Sequence, residues 1–220
     1  MASASAPTRT LGIVAATILI VALAVGVAAA VLVPGLNEGL PVLTGTNGPD
    51  RLSGTASDDI SIDGRGGDDR LRALGKGFDS INGGSGDDVL VGGRGGGDYM
   101  SGPGNDYVLD TGTDTSSDGF AGGGGDDELI DRAGPGFMID DAGRQDAGRD
   151  VLRSGDGNDN LLLSFGADRA WAGAGNDSLQ VDVDGEVDQV SCGPGDDTVQ
   201  FTRREPADRY LGCEHFKVVR

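Results

Sequence analysis

The chain has 220 residues, of which 41 are glycine and 5% aromatic, and its formal net charge is −19. That leaves too few large apolar residues for an ordinary single core, while the lack of a Gly-X-Y period excludes collagen. Such acidity leaves no basic face to neutralise phosphates, which argues against nucleic acid as a partner and favours cations.

Met1 to Thr10 is polar and carries one charged side chain, Arg9. Leu11 to Val33 comes next with 23 residues and no charge, enough for one helix across a bilayer. Residues 1–33 therefore read as a membrane anchor or as a signal peptide cut near Ala28–Ala30, and the length favours the anchor. Both export the remainder of the chain, because Arg9 favours a cytoplasmic N-terminus. Residues 34–42 (PGLNEGLPV) form a short linker with two prolines.

Residues 43–200 repeat a nine-residue unit, seen cleanly as GGSGDDVLV from Gly83 to Val91. Further copies are SGPGNDYVL (Ser101–Leu109), GGGGDDELI (Gly122–Ile130), SGDGNDNLL (Ser154–Leu162), AGAGNDSLQ (Ala172–Gln180) and CGPGDDTVQ (Cys192–Gln200). Glycine and aspartate in fixed phase at so short a period predict a solenoid. The sixth position carries Asp50, Asp59, Asp69, Asp79, Asp88, Asp98 and Asp106 in the first half. Two residues later, Leu52, Leu71, Ile81, Leu90, Met100 and Val108 are expected to point inward; near Asp59, Ile60 and Ile62 are one out of phase.

Between Asp110 and Arg149 the pattern loosens. Asp118 and Asp127 keep the phase, but Met138 falls where an aspartate is expected, so Phe137 and Ile139 are expected to fill the interior. Regularity returns at Asp150, Asp159, Asp168 and Asp177, with Leu152, Leu161 and Leu179 inward and Ala170 beside Trp171. Asp188 and Asp197 continue the series. Residues 201–220 lose the glycines and gain basic and aromatic residues, as a terminal cap over an open solenoid end should.

Nine residues ending in a short strand make half a coil, so units two apart stack on the same side: Asp88 over Asp106, Asp150 over Asp168, Asp159 over Asp177. Stacked strands lie about 4.8 Å apart. Two carboxylates at that separation repel by about 3 kcal/mol at an effective dielectric near 20. A cation between them removes the repulsion. Calcium accepts six to eight oxygens in flexible geometry, which aspartates and turn carbonyls supply. Zinc and copper want clustered His or Cys, and the chain has one histidine and two cysteines.

These units resemble the hemolysin-type calcium-binding repeat, GGxGxDx-apolar-x, of the RTX proteins, from about Gly45 to Val199. The resemblance implies an all-β parallel β-roll (a β-solenoid) with several calcium ions held between successive turns. It implies Asp88, Asp106, Asp127, Asp159, Asp177 and Asp197 as ligands, joined by Asp50, Asp69, Asp79 and Asp98. Asp59, Asp168 and Asp188 fit less well, because their glycines are missing or displaced. The ending CGPGDDTV…GCEHF is similar to that of many exported bacterial proteins with these repeats, which implies a Cys192–Cys213 disulfide; two unpaired thiols are the alternative.

The function expected is calcium binding by an exported, non-enzymatic module that folds on binding calcium, at the cell surface or outside the cell. Its protein or glycan partner is not named by the sequence, and membrane anchoring would run through residues 11–33. The alternative is an extracellular hydrolase or polysaccharide-modifying enzyme with a site on the irregular 110–149 stretch, using Asp140, Asp141, Arg144 and Asp146. Scattered Asp and Arg residues are more often solvated surface than a catalytic site.

Overall fold

The computed structural model describes residues 41–56, 59–113, 115–140 and 148–219. The expected N-terminal helix and most of the linker lie outside the described residues. So do Asp141, Arg144 and Asp146.

Nineteen short strands and no helix are found among the described residues. Successive strands alternate between two sheets, one of ten strands starting at Val42–Thr44 and one of nine starting at Arg51–Ser53. Every pairing is parallel, and each strand pairs with those two before and two after it in the chain. The chain therefore winds as a parallel β-roll of about nine turns. A coil crosses from the ten-strand to the nine-strand sheet at one edge, here the first edge, and returns at the other, the second edge.

The core arises chiefly from one inward row in each sheet, joined in four strands of the ten-strand sheet by a second buried apolar residue, Ile60, Leu163, Val181 or Phe201. Leu52, Leu71, Leu90, Val108, Leu129, Leu152, Ala170 and Val190 stack in register along the nine-strand sheet. Ile62, Ile81, Tyr99, Phe120, Met138, Leu161, Leu179 and Val199 do so along the ten-strand sheet. All are buried, and the two rows meet as one continuous core. Fully burying one such side chain stabilises by about 1.5–3 kcal/mol, so regular repetition replaces core thickness here.

Three inward assignments, Met100, Phe137 and Ile139, are corrected. Met100 is exposed and Tyr99 is buried, because Asp79 pairs with Gly97 rather than with Asp98. The extra glycine in the Gly95–Gly97 run shifts the phase by one. Tyr99 gains the larger burial, packs against Phe120 at 5.0 Å between ring centroids, and satisfies its hydroxyl by donating to Asp110 Oδ1 at 2.9 Å. Likewise Met138 fills the interior, while Phe137 and the half-buried Ile139, on either side of it in the alternating strand, take the outward positions.

Residues 201–219 extend the roll rather than lying across it. Arg209–Leu211 pairs with Gln189–Ser191, and His215–Val218 pairs with Thr198–Phe201. Phe201, Tyr210 and Phe216 cluster over the last turn, with Tyr210 and Phe216 edge to face at 5.5 Å. A Cys192–Cys213 disulfide ties this end, with Cα atoms 5.2 Å apart.

Candidate metal centre

Sixth-position aspartates form a ladder along the first edge. The Asp50 N–H donates to Asp69 Oδ1 (2.7 Å), Asp69 to Asp88 (2.8 Å), Asp88 to Asp106 (2.7 Å) and Asp106 to Asp127 (2.9 Å). Asp127 continues to Asp150, Asp150 to Asp168, Asp168 to Asp188 and Asp188 to Asp208. From Asp69 onward each carboxylate thus takes up one backbone N–H from the coil before it. Part of the repulsion along a stack of carboxylates is offset in this way.

The second edge carries the same device in broken form. Asp159, Asp177 and Asp197 accept from Gly136, Asp159 and Asp177 at 2.7–2.9 Å, and Glu214 Oε2 accepts the Asp197 N–H. Further back, Asp118 accepts from Gly97 at 2.6 Å, while Asp79 turns Oδ2 toward the Gly93 N–H. Gly97 and Gly136 stand where sixth-position aspartates are otherwise found, as the pairings Asp79–Gly97 and Asp118–Gly136 show.

The expected residues therefore divide clearly. Asp50, Asp69, Asp88, Asp106 and Asp127 stand on the first edge, and Asp79, Asp159, Asp177 and Asp197 on the second; all are buried. Asp98 belongs to neither ladder: it is exposed on an outward position, paired with Ser80 and Gly119. Asp168 and Asp188 are full members of the first ladder despite their displaced glycines. Asp59 is half-buried and instead accepts the Phe78 N–H.

The fifth position, read in the sequence as a spacer, is a second ladder running the opposite way. Asp68 accepts the N–H of Asp87, Asp87 that of Asn105, Asn105 that of Asp126 and Asp126 that of Arg149. Asn158 and Asn176 do the same on the other edge. The recurring Asp-Asp and Asn-Asp doublets were the visible signal.

Once Oδ1 is used, the second oxygen has no donor on Asp69, Asp88, Asp168, Asp177, Asp188 and Asp197. A buried polar atom left so is costly unless something answers it. At Gly83 the open side of the residue faces both Asp88 Oδ2 and the Ser101 carbonyl of the next coil; a Cβ would lie 2.6 Å from that carbonyl oxygen. Gly64 faces Asp69 Oδ2 and the Gly83 carbonyl in the same way. Only glycine leaves this niche, lined by a carboxylate and a carbonyl oxygen, open.

The electrostatics agree. Burial, opposed by the accepted N–H and reinforced by neighbouring aspartates, raises Asp69 to about 6 and Asp88 to about 7. Asp106 and Asp159 rise to about 6, again by burial first. A buried row that holds its negative charge so reluctantly suits a hard cation presented with oxygen donors alone. The residues fit calcium.

Two acidic triads fall outside the expected ligand set: Asp110, Asp118 and Asp131, and Asp140, Asp150 and Asp168. Asp110, Asp131 and Asp140 occupy the first position of the unit, where the consensus has glycine. Asp140 is fully buried in its triad, an inward placement rather than an open cleft.

A parallel β-roll with oxygen-lined niches between its coils defines a class of calcium-binding repeat modules. The family model of the RTX calcium-binding nonapeptide repeat matches this chain four times, at residues 44–75, 63–99, 77–108 and 146–179. Within residues 44–108 and 146–179 the chain thus carries RTX calcium-binding nonapeptide repeats. No curated protein and no solved structure matches it significantly.

Proposed function

We propose that the protein is an exported calcium-binding module whose repeats fold around calcium, with a structural or interaction role at the cell surface or outside the cell. The observation that carries this is the row of buried aspartates joined from coil to coil, of which Asp69, Asp88 and Asp127 give one oxygen to the neighbouring coil's N–H and turn the other toward a carbonyl across a glycine. Asp50, Asp69, Asp88, Asp106 and Asp127 on the first edge, and Asp79, Asp159, Asp177 and Asp197 on the second, are the proposed ligands. Asp150, Asp168 and Asp188 join them by position. Asp98 is left out by its exposure.

Residues 1–33 serve as anchor or signal, 34–42 as linker, 43–200 as the roll and 201–220 as its closing coil. Export rests on the apolar segment 11–33, an expectation from sequence. No helix among the described residues is long and apolar enough to cross a membrane. Catalysis on the 110–149 stretch finds no support in the placement of Asp140, which lies under the surface.

Folding and binding are then one event. Calcium titrated into the metal-free full-length protein should produce a cooperative gain of β signal in far-UV circular dichroism, reversed by chelator and weak with magnesium. Complete β structure without metal would refute calcium-dependent folding. No calcium uptake by calorimetry would refute the binding itself.

A further inference from the structure

The triad Asp110, Asp118 and Asp131 lies on the second edge, where the sixth-position ladder is broken. All three carboxylates are buried, at 0%, 3% and 2% exposure, and offer oxygens within 4.8 Å of one another. They arrive from three different segments: the ends of the strands Tyr107–Leu109 and Glu128–Ile130, and the start of Asp118–Gly124.

Each accepts hydrogen bonds that fix its orientation. Tyr99 and the Gly112 N–H fix the two Asp110 oxygens at 2.9 and 2.6 Å, and Gly97 fixes Asp118 Oδ1. Asp131 turns Oδ1 back to its own turn, to the N–H groups of Arg132 and Ala133. Its Oδ2 receives no donor. That oxygen points at the bare side of Gly136, 2.9 Å from where a Cβ would stand, and Gly136 is the register partner of Asp118. The space vacated by a missing sixth-position aspartate is thus filled by a first-position one reaching across.

We propose that Asp110, Asp118 and Asp131 form a separate hard-cation site, outside the nonapeptide consensus, that takes calcium. The inference rests on the calcium reading above but requires different residues. Three carboxylates and no nitrogen or sulfur ligand among them select a hard ion over zinc or copper. Tyr99 beside Asp110 supplies a built-in reporter, since a phenol this close sensitises terbium bound in calcium's place.

The test uses the full-length protein, with calcium sites counted by calorimetry and terbium emission excited through tyrosine. Asp131→Asn should lose one calcium equivalent, and its emission should fall to the level of Tyr99→Phe. Asp177→Asn, on the regular ladder, should lose a different site and keep the Tyr99-dependent emission. An unchanged count and emission in Asp131→Asn, with calcium still bound elsewhere, would overturn this site and leave the general reading intact. Absence of calcium uptake by the wild type would overturn both. If Asp131→Asn does not fold, Asp110→Asn, whose amide keeps an oxygen for the Tyr99 hydroxyl, decides by the same loss or its absence.

Discussion

Along the first edge nine aspartates, from Asp50 to Asp208, pass one hydrogen bond from coil to coil without a gap, whereas the second edge is interrupted at Gly97 and Gly136. Both edges descend from one nonapeptide, so the difference is one of packing rather than of motif. On the first edge, coil lengths from 18 to 23 residues are absorbed in the turns and the ladder still closes. On the second, Tyr99 occupies the space that a sixth-position side chain at Gly97 would need. The ladder yields to the core there, and first-position aspartates gather beside the gap.

The largest expected effect separates both edges from the apolar core. Without metal the raised aspartates hold more protons in the roll than in the unfolded chain. Asp69, Asp79, Asp106 and Asp159 are pushed to about 6, Asp88 and Asp188 to about 7 and Asp131 to about 8, all chiefly by burial. Raised folded-state values mean that the metal-free stability is greatest below about pH 4 and falls as pH rises through about 4–8. Dialysed, metal-free protein should therefore show more β signal at pH 5 than at pH 8. Calcium should abolish or reverse this trend, because acid then competes with the ion. A flat pH profile without metal would mean that the two edges contribute no charge strain.

Next in size is the disulfide, which closes a 21-residue separation at the end where the second ladder finishes on Glu214. Replacing both Cys192 and Cys213 by serine should cost about 3 kcal/mol, read as a lower denaturation midpoint in calcium. An unchanged midpoint would mean that the last coil unfolds independently of the rest.

Filling the gap tests why the second edge is broken. Gly97→Asp should destabilise by about 1–3 kcal/mol, since its Cβ would stand 2.5 Å from the Tyr99 hydroxyl and 2.9 Å from the Asp79 carbonyl. If thermal melting instead showed a more stable protein with an extra calcium equivalent, the gap would owe nothing to Tyr99.

The smallest effect makes the sharpest contrast. Asp88→Asn should cost about 1–3 kcal/mol in calcium and shift the calcium midpoint upward, by leaving a niche with one charge fewer. Asp98→Asn should stay within about 0.5 kcal/mol, as for most exposed substitutions. Equal shifts for the two would show that ladder membership does not determine binding.

Much of this was legible in the residues. The fixed phase of glycine, aspartate and leucine determines short parallel strands, the two-unit coil and most inward side chains, because the residue two places after the aspartate points inward in every clean copy. It also determines that Asp88 stacks with Asp106 and Asp159 with Asp177, since equal spacing leaves no other register. The Asp-Asp doublets already contained the two opposed ladders, although one member reads as a spacer until a partner coil lies beside it.

What the tertiary structure alone decided are the positions where local phase has two answers. Tyr99 and Met100 both suit a strand interior, and the choice falls to Tyr99 because Phe120 and Asp110 in other coils receive it. Asp98 loses its place with the same shift. Asp110, Asp118 and Asp131 are up to 21 residues apart in the chain and meet because neighbouring coils superpose their turns. A nine-residue count is local, whereas a site shared between coils depends on how unequal turns are taken up, and packing of the complete roll sets that.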